Sequence, residues 1–408
     1  MNKQLKNLFK IASTDCLQSL IPILAWYLVG IIYNDSDYFN IFTLTYYFQF
    51  IYLSIYEIII CGSIKYTVKN NHKDMSLGYC AIIEGALALG IVAVITSLKV
   101  ESLLNYFTVG IKYKPFYIMS LAFLTLDMIS CGTAKIMQYQ DNDSGAFKLT
   151  IKYQLVKCIS IVISRTFYYV NEDVFNTNIT TTLTIIILTL YVITQTIKHF
   201  KITKVYINCL RGWKIEAPGL VSEISMFIIY FFGLQKSVSG QTVFLAAYNM
   251  AAMCTDTQWD ILSSVIDTNT TKAVCNGSYD KDKKTLFTAS VMYGNMLLIS
   301  SILMVIFSRL FFKFSLLDAL IIILIECSTF TLYAIKYVKT AWLKINYAGI
   351  WMVITTVVGY IIRIILSFAL YSKYRLSISV FIIALYGFAC ITILYSCKYK
   401  ESKINLRT

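Results

Sequence analysis

The chain has 408 residues, of which 57% are hydrophobic and 14% charged, and its mean hydropathy is +0.65. Soluble domains carry about 25% charged residues, so an ordinary soluble enzyme is excluded. A net charge of +14 would suggest nucleic acid as a partner in a soluble protein, but here the basic residues fall in the connections between apolar stretches, which leaves nucleic-acid binding without support.

The segment from Met1 to Lys10 is basic and runs into an apolar stretch with no small-residue cleavage site, the pattern of a retained first span. Twelve membrane spans are predicted: 11–33, 40–64, 78–98, 115–137, 148–170 and 180–198, then 217–236, 241–266, 286–308, 315–337, 346–371 and 376–397. Each approaches the roughly 20 residues that cross a bilayer. They are expected to be helices, because a backbone in lipid must satisfy its own polar groups, and the short alternating segments of a membrane barrel are absent. The expected fold is therefore an all-α polytopic membrane protein of twelve helices. The eleven cysteines include no C-x-x-C pair and are expected to be reduced, small hydrophobes.

Orientation follows from Lys and Arg in the connections. The ends and loops on the side of the N-terminus hold 25, including Lys65, Lys69, Lys135, Lys198, Lys281 and Lys336, and the opposite side holds eight. Both termini are expected in the cytoplasm, with some attraction of the basic loops to anionic lipid.

The most basic connection divides the chain into six spans and six. It sets the expected organisation: an N-terminal lobe over 1–198, a cytoplasmic linker over 199–214, and a C-terminal lobe with a short basic tail over 215–408. An internal echo agrees, since Val68, Asn70 and Asp74 recur 206 positions later as Val274, Asn276 and Asp280. Parallel repeats of this kind build secondary transporters.

Two stretches carry a family likeness. SGQTVFLAAYNMAA from Ser239 to Ala252, and NGSYDKDKKTLFTASVMYG from Asn276 to Gly294, resemble the span seven to nine region of the multidrug and toxin extrusion (MATE) family, within the multidrug/oligosaccharidyl-lipid/polysaccharide flippase superfamily. The resemblance implies two six-helix lobes, alternating access and coupling to a sodium or proton gradient. The first half departs from the family pattern. Span one lacks an acid near its extracellular end, and Tyr33-Asn34-Asp35-Ser36-Asp37 replaces the usual glycine-rich turn.

Acids inside apolar spans cost about 2.5 to 3.5 kcal/mol at the bilayer centre, so Asp15, Glu57, Glu84, Asp127, Glu223, Asp256, Asp260 and Glu326 are candidates for function, against the plainer role of helix-to-helix hydrogen bonds. Asp15, Gln18 and Pro22 share one face of span one, and Pro22 permits a kink beside the acid. A protonation or sodium switch at Asp15 is expected, and the resemblance agrees, since some MATE members use an aspartate in this helix. In span eight, Asn249, Asp256, Asp260, Ser263 and Asp267 follow one side of a helix. Carboxylates at i and i+4 repel unless a proton or cation lies between them. The resemblance gives weight to Glu223 in span seven and Glu326 in span ten, where another MATE subgroup places functional acids. Together Glu223, Asp256, Asp260 and Glu326 are expected to form one acidic cluster. Lys157, Arg165 and Arg363 are intramembrane cations, expected to neutralise acids rather than to hold an anionic substrate.

No phosphate-binding glycine loop is present, so ATP does not drive the protein directly, and His72 and His199, the only histidines, lie in loops. Neither a cofactor nor a bound metal is expected beyond Na+ or H+ as coupling ion. The leading expectation is a cell-membrane antiporter, monomeric and not an enzyme, that exports small amphipathic organic cations. A flippase for lipid-linked oligosaccharide or lipid is the alternative, and a structural membrane protein the third.

Overall fold

A computed structural model describes residues 2–33, 48–70, 74–106, 111–171, 174–207, 210–228, 242–310, 314–347 and 350–405. Part of span two, the turn that follows span one and the end of span seven lie outside them. Among the described residues there is no strand. The helices are α1 (Asn2–Tyr33), α2 (Phe48–Lys69), α3 (Ser76–Leu98), α4 (Val100–Tyr106), α5 (Lys114–Tyr139), α6 (Asp143–Asn171) and α7 (Val174–Ile197). They continue as α8 (Trp213–Ile228), α9 (Thr242–Cys275), α10 (Tyr279–Ser308), α11 (Leu316–Cys327), α12 (Phe330–Asn346), α13 (Ile350–Ala369) and α14 (Arg375–Asn405).

Among the described residues eight stretches are long and apolar enough to cross a membrane: α2, α3, α5, α7, α10, the α11–α12 pair, α13 and α14. The chain is an integral, multi-pass membrane protein. Span ten runs through both α11 and α12, its hydrogen bonding tightened at Ser328 and Thr329 while the backbone there stays right-handed helical. Several helices also outrun their apolar cores. Lys65 and Lys135, counted above as loop charges, lie on α2 and α5 and are 2% and 7% exposed.

The chain divides by its contacts into two units, Ser13–Glu223 and Met1–Ala12 with Ile224–Thr408. In the first, α5 is the central helix, packed against α3, α6 and α7. Its buried Met128 and Ile136 meet Ile60, Ile64, Tyr79 and Ile82. Gly132 brings α5 close to α3, where an added Cβ would lie 2.8 Å from Ile82. Small residues at such crossings let backbones approach where no hydrophobic drive exists between helices in lipid.

In the second unit α12 packs against α9, α10 and α14, and α13 packs against α14. The order of neighbours repeats: third span on fourth, fourth on sixth, fifth on sixth. The turn from α9 to α10 closes with Gly277 at φ 69°. The Gly277 amide donates to Val274 O and the Ser278 amide to Ala273 O, the paired bonds that terminate a helix at a left-handed glycine. Asp141, at φ 60°, ends α5 in the same way.

The segment 199–207 packs along α3. The Thr203 amide donates to Ser76 Oγ at 2.8 Å, its hydroxyl to Asp74 Oδ2 at 2.5 Å, and Phe200 lies 4.9 Å from Tyr79 between ring centroids. Gly212 then meets Gly62 backbone to backbone, with no room for a Cβ on Gly212 and only a tight fit for one on Gly62.

Candidate functional site

The second unit builds its site around the tightened turn in span ten. Glu326 is the penultimate residue of α11 and is 2% exposed. Both carboxylate oxygens are occupied: Ser377 Oγ of α14 donates to Oε1 at 2.7 Å, and Thr255 Oγ1 of α9 donates to Oε2 at 3.0 Å. The Glu326 carbonyl accepts both the amide and the hydroxyl of Thr329, at 3.2 and 2.5 Å. With Ser328 Oγ donating to the Ile325 carbonyl at 2.8 Å, these bonds satisfy two carbonyls at the tightened turn. Three helices thus converge on one carboxylate, and Asp256 and Arg363 are its charged neighbours.

Asp256 follows Thr255 on α9, and Asp260 lies one turn further; both are half-buried and act on one another. Trp259 stands between them in sequence. Its ring is edge-on to Tyr333 at 3.9 Å and to Phe330 at 4.9 Å, and Tyr337 follows Tyr333 at 5.8 Å. Two acids and an aromatic row on α9 and α12 therefore share one face of this unit. Lys336 already places its ammonium 4.7 Å from the Tyr333 centroid, so these rings can seat a cation.

The first unit uses its buried acids in ion pairs. Asp127 on α5 accepts two bonds from Lys157 Nζ of α6, at 2.9 and 2.7 Å, and one from Tyr153 OH at 2.7 Å. Lys157 and Tyr153 are four apart on one face of α6, so one carboxylate can engage both. Asp15, 6% exposed, accepts from Gln138 Nε2 at 2.9 Å and lies 3.7 Å from Lys135 Nζ. Gln18 reaches Thr150 Oγ1 at 3.5 Å. Lys65 is ion-paired with Glu216 at the start of α8, both almost fully buried. The Glu57 and Glu216 carboxylates flank Gly219, and Glu57 lies in a π-helical turn of α2, Tyr56–Cys61.

Of the four acids expected in one cluster, the structure brings together Asp256, Asp260 and Glu326. Glu223 is grouped by its contacts with the 13–223 unit. Asn249 and Pro22 lie in α9 and α1, with side chains outside the described residues. Thr255, Ser377, Trp259 and Tyr333 escaped the sequence reading. A hydroxyl beside an acid (Thr255-Asp256) and an acid followed by Ser-Thr (Glu326 to Thr329) were the available signals. Among the described residues no group of three His, Cys, Asp or Glu is arranged to hold a metal ion.

Neither models of known protein families nor curated protein sequences match the chain. Solved structures do. A MATE transporter in complex with MaD3S superposes with a TM-score of 0.71 at 14% identity, covering 98% of this chain and 97% of that one. An outward-facing multidrug resistance MATE family transporter of the MOP superfamily gives 0.71 at 13%, covering 97% of each. A MOP superfamily transporter from Pyrococcus furiosus, described as having a binding pocket of reversed polarity that suggests a different function, gives 0.70 at 13%, covering 96% of each. The protein has the all-α fold of the MATE transporters.

Proposed function

We propose that the protein is an antiporter that exports amphipathic organic cations, driven by a proton or sodium gradient. The observation that carries this is Glu326: a carboxylate sealed from solvent at a tightened helix turn, held by hydroxyls from two other helices, beside Asp256 and Arg363. An ion can drive transport only if it binds two conformations with different affinity. A buried carboxylate supplies that difference, because its affinity for a cation changes as water enters or leaves. Its two hydrogen-bonding partners, the hydroxyls of Ser377 and Thr255, suit a carboxylate that takes up a proton or a hard cation such as Na+. The α9 and α12 face with Asp256, Asp260, Trp259 and Tyr333 suits an organic cation through charge and ring-face contact.

In this proposal twelve helices form two six-helix lobes with both termini in the cytoplasm, the lobes alternate access, and the molecule works as a monomer with no enzymatic activity. A lipid-linked oligosaccharide flippase would use intramembrane cations to hold pyrophosphate, and Lys157 is already engaged bidentately by Asp127. The test is reconstitution into liposomes with imposed proton or sodium gradients and a fluorescent organic cation. Uptake or efflux should follow one ion gradient and fall at least tenfold in Glu326→Gln. Transport against a substrate gradient that persists after both ion gradients collapse would overturn the mechanism.

A further inference from the structure

The connection before α8 has a feature that transport does not use. Between Lys198 and Lys214 the sequence carries Lys198, Lys201, Lys204, Arg211 and Lys214 and no Asp or Glu. The same stretch exposes large apolar side chains: Ile207 is 88% exposed, Val205 76% and Trp213 46%. Both kinds of residue are held in place because the stretch is anchored to α2 and α3 through Gly212 and Thr203.

Between this connection and α2 lies a cavity of about 530 Å³ lined by Ile58, Ile207, Leu210, Arg211 and Trp213. Four of its five lining residues are apolar, and a cation stands at its edge. Lys204 Nζ and the Arg211 guanidinium both approach the Tyr206 ring, at 5.5 and 5.4 Å from its centroid, and Lys214 Nζ lies 6.0 Å from that of Trp213. Among the described residues none of these three cations makes an ion pair; the nearby Glu216 is taken up by Lys65. Like charges gathered on neighbouring rings beside an apolar groove complement a molecule with an anionic head and a hydrocarbon tail.

We propose that this is a binding site for an anionic phospholipid, the phosphate held by Arg211, Lys204 and Lys214 and an acyl chain lying against Ile58, Ile207 and Trp213. The charge complementarity selects anionic over zwitterionic lipid, since basic groups at a membrane surface each favour anionic lipid severalfold. The site is independent of the ion-coupling role of Glu326 and does not depend on it.

The experiment measures lipid retained by the full chain in detergent, by native mass spectrometry, on titration with phosphatidylglycerol or phosphatidylcholine of matched chains. Wild type should prefer phosphatidylglycerol, and Arg211→Gln with Lys214→Gln should weaken its binding roughly 30-fold. Lys281→Gln with Lys284→Gln, the same charge removed from α10, should leave the preference intact. Ile207→Asp should weaken binding while leaving the melting temperature of the lipid-free protein unchanged. No preference for the anionic lipid would overturn the proposal, as would equal loss in the α10 control. Competition by glycerophosphate as effective as the lipid would also overturn it, because the groove would then contribute nothing.

Discussion

Gly212→Ala should be among the most damaging single-methyl additions in the protein. The added Cβ would stand 1.8 Å from the Gly62 carbonyl oxygen, 2.2 Å from its carbon and 2.9 Å from the Ser63 amide nitrogen. These are backbone atoms of α2, so no side chain can rotate away, and the gap falls roughly 1.5 Å short of ordinary contact. Overpacking costs typically 1 to 3 kcal/mol, and with helix backbone as the obstacle we expect about 3 kcal/mol. The displacement also pulls on Glu216, four residues on and ion-paired with buried Lys65, where separating the charges adds to the cost. Thermal unfolding of the detergent-purified protein should fall by roughly 3 to 6 °C. Gly62→Ala, whose Cβ meets the Gly212 backbone at 3.0 Å, should fall less. Gly90→Ala, with nothing nearer than Thr125 at 3.9 Å in the middle of α3, should be neutral or slightly stabilising. A Gly212→Ala protein that melts with the wild type would refute the close approach of the connection to α2.

Three further outcomes concern Lys157, Trp259 and His199. Lys157→Met should destabilise by about 3 to 5 kcal/mol, because it leaves Asp127 buried without its cation, and Lys157→Met with Asp127→Asn should recover most of that loss in thermal unfolding; a double variant as unstable as the sum of the singles would contradict the pairing. Trp259→Ala should raise the KM for an organic cation several-fold while leaving ion-driven exchange measurable, and an unchanged KM would remove the aromatic row from the substrate path. Partial burial, then Lys198 and Lys201, hold His199 below its ordinary pKa. The folded chain therefore resists the proton that the unfolded chain accepts: stability should be constant at high pH and fall as pH drops through about 6.5. His199→Gln should flatten that part of the melting-temperature profile.

Hydrophobicity and charge spacing in the sequence determine that this chain crosses a membrane many times as helices, because lipid offers the backbone no other partner. They also single out Glu326, Asp256, Asp260 and Lys157, since any charge in an apolar run must be explained by function or by a partner. What they leave open is the partner. The same apolar context surrounds Asp127 and Glu326, yet one is bound bidentately to Lys157 and the other is held only by hydroxyls and neighbouring charges. Hydropathy averages over a window, so it cannot see a tightened turn such as that at Ser328-Thr329, nor that α2 and α5 carry Lys65 and Lys135 into protein. The pairing of Gly62 with Gly212, and of Lys65 with Glu216, joins residues about 150 positions apart. Only the tertiary structure decides such contacts, because helix-to-helix packing in lipid depends on local shape at each crossing and not on how apolar the helices are.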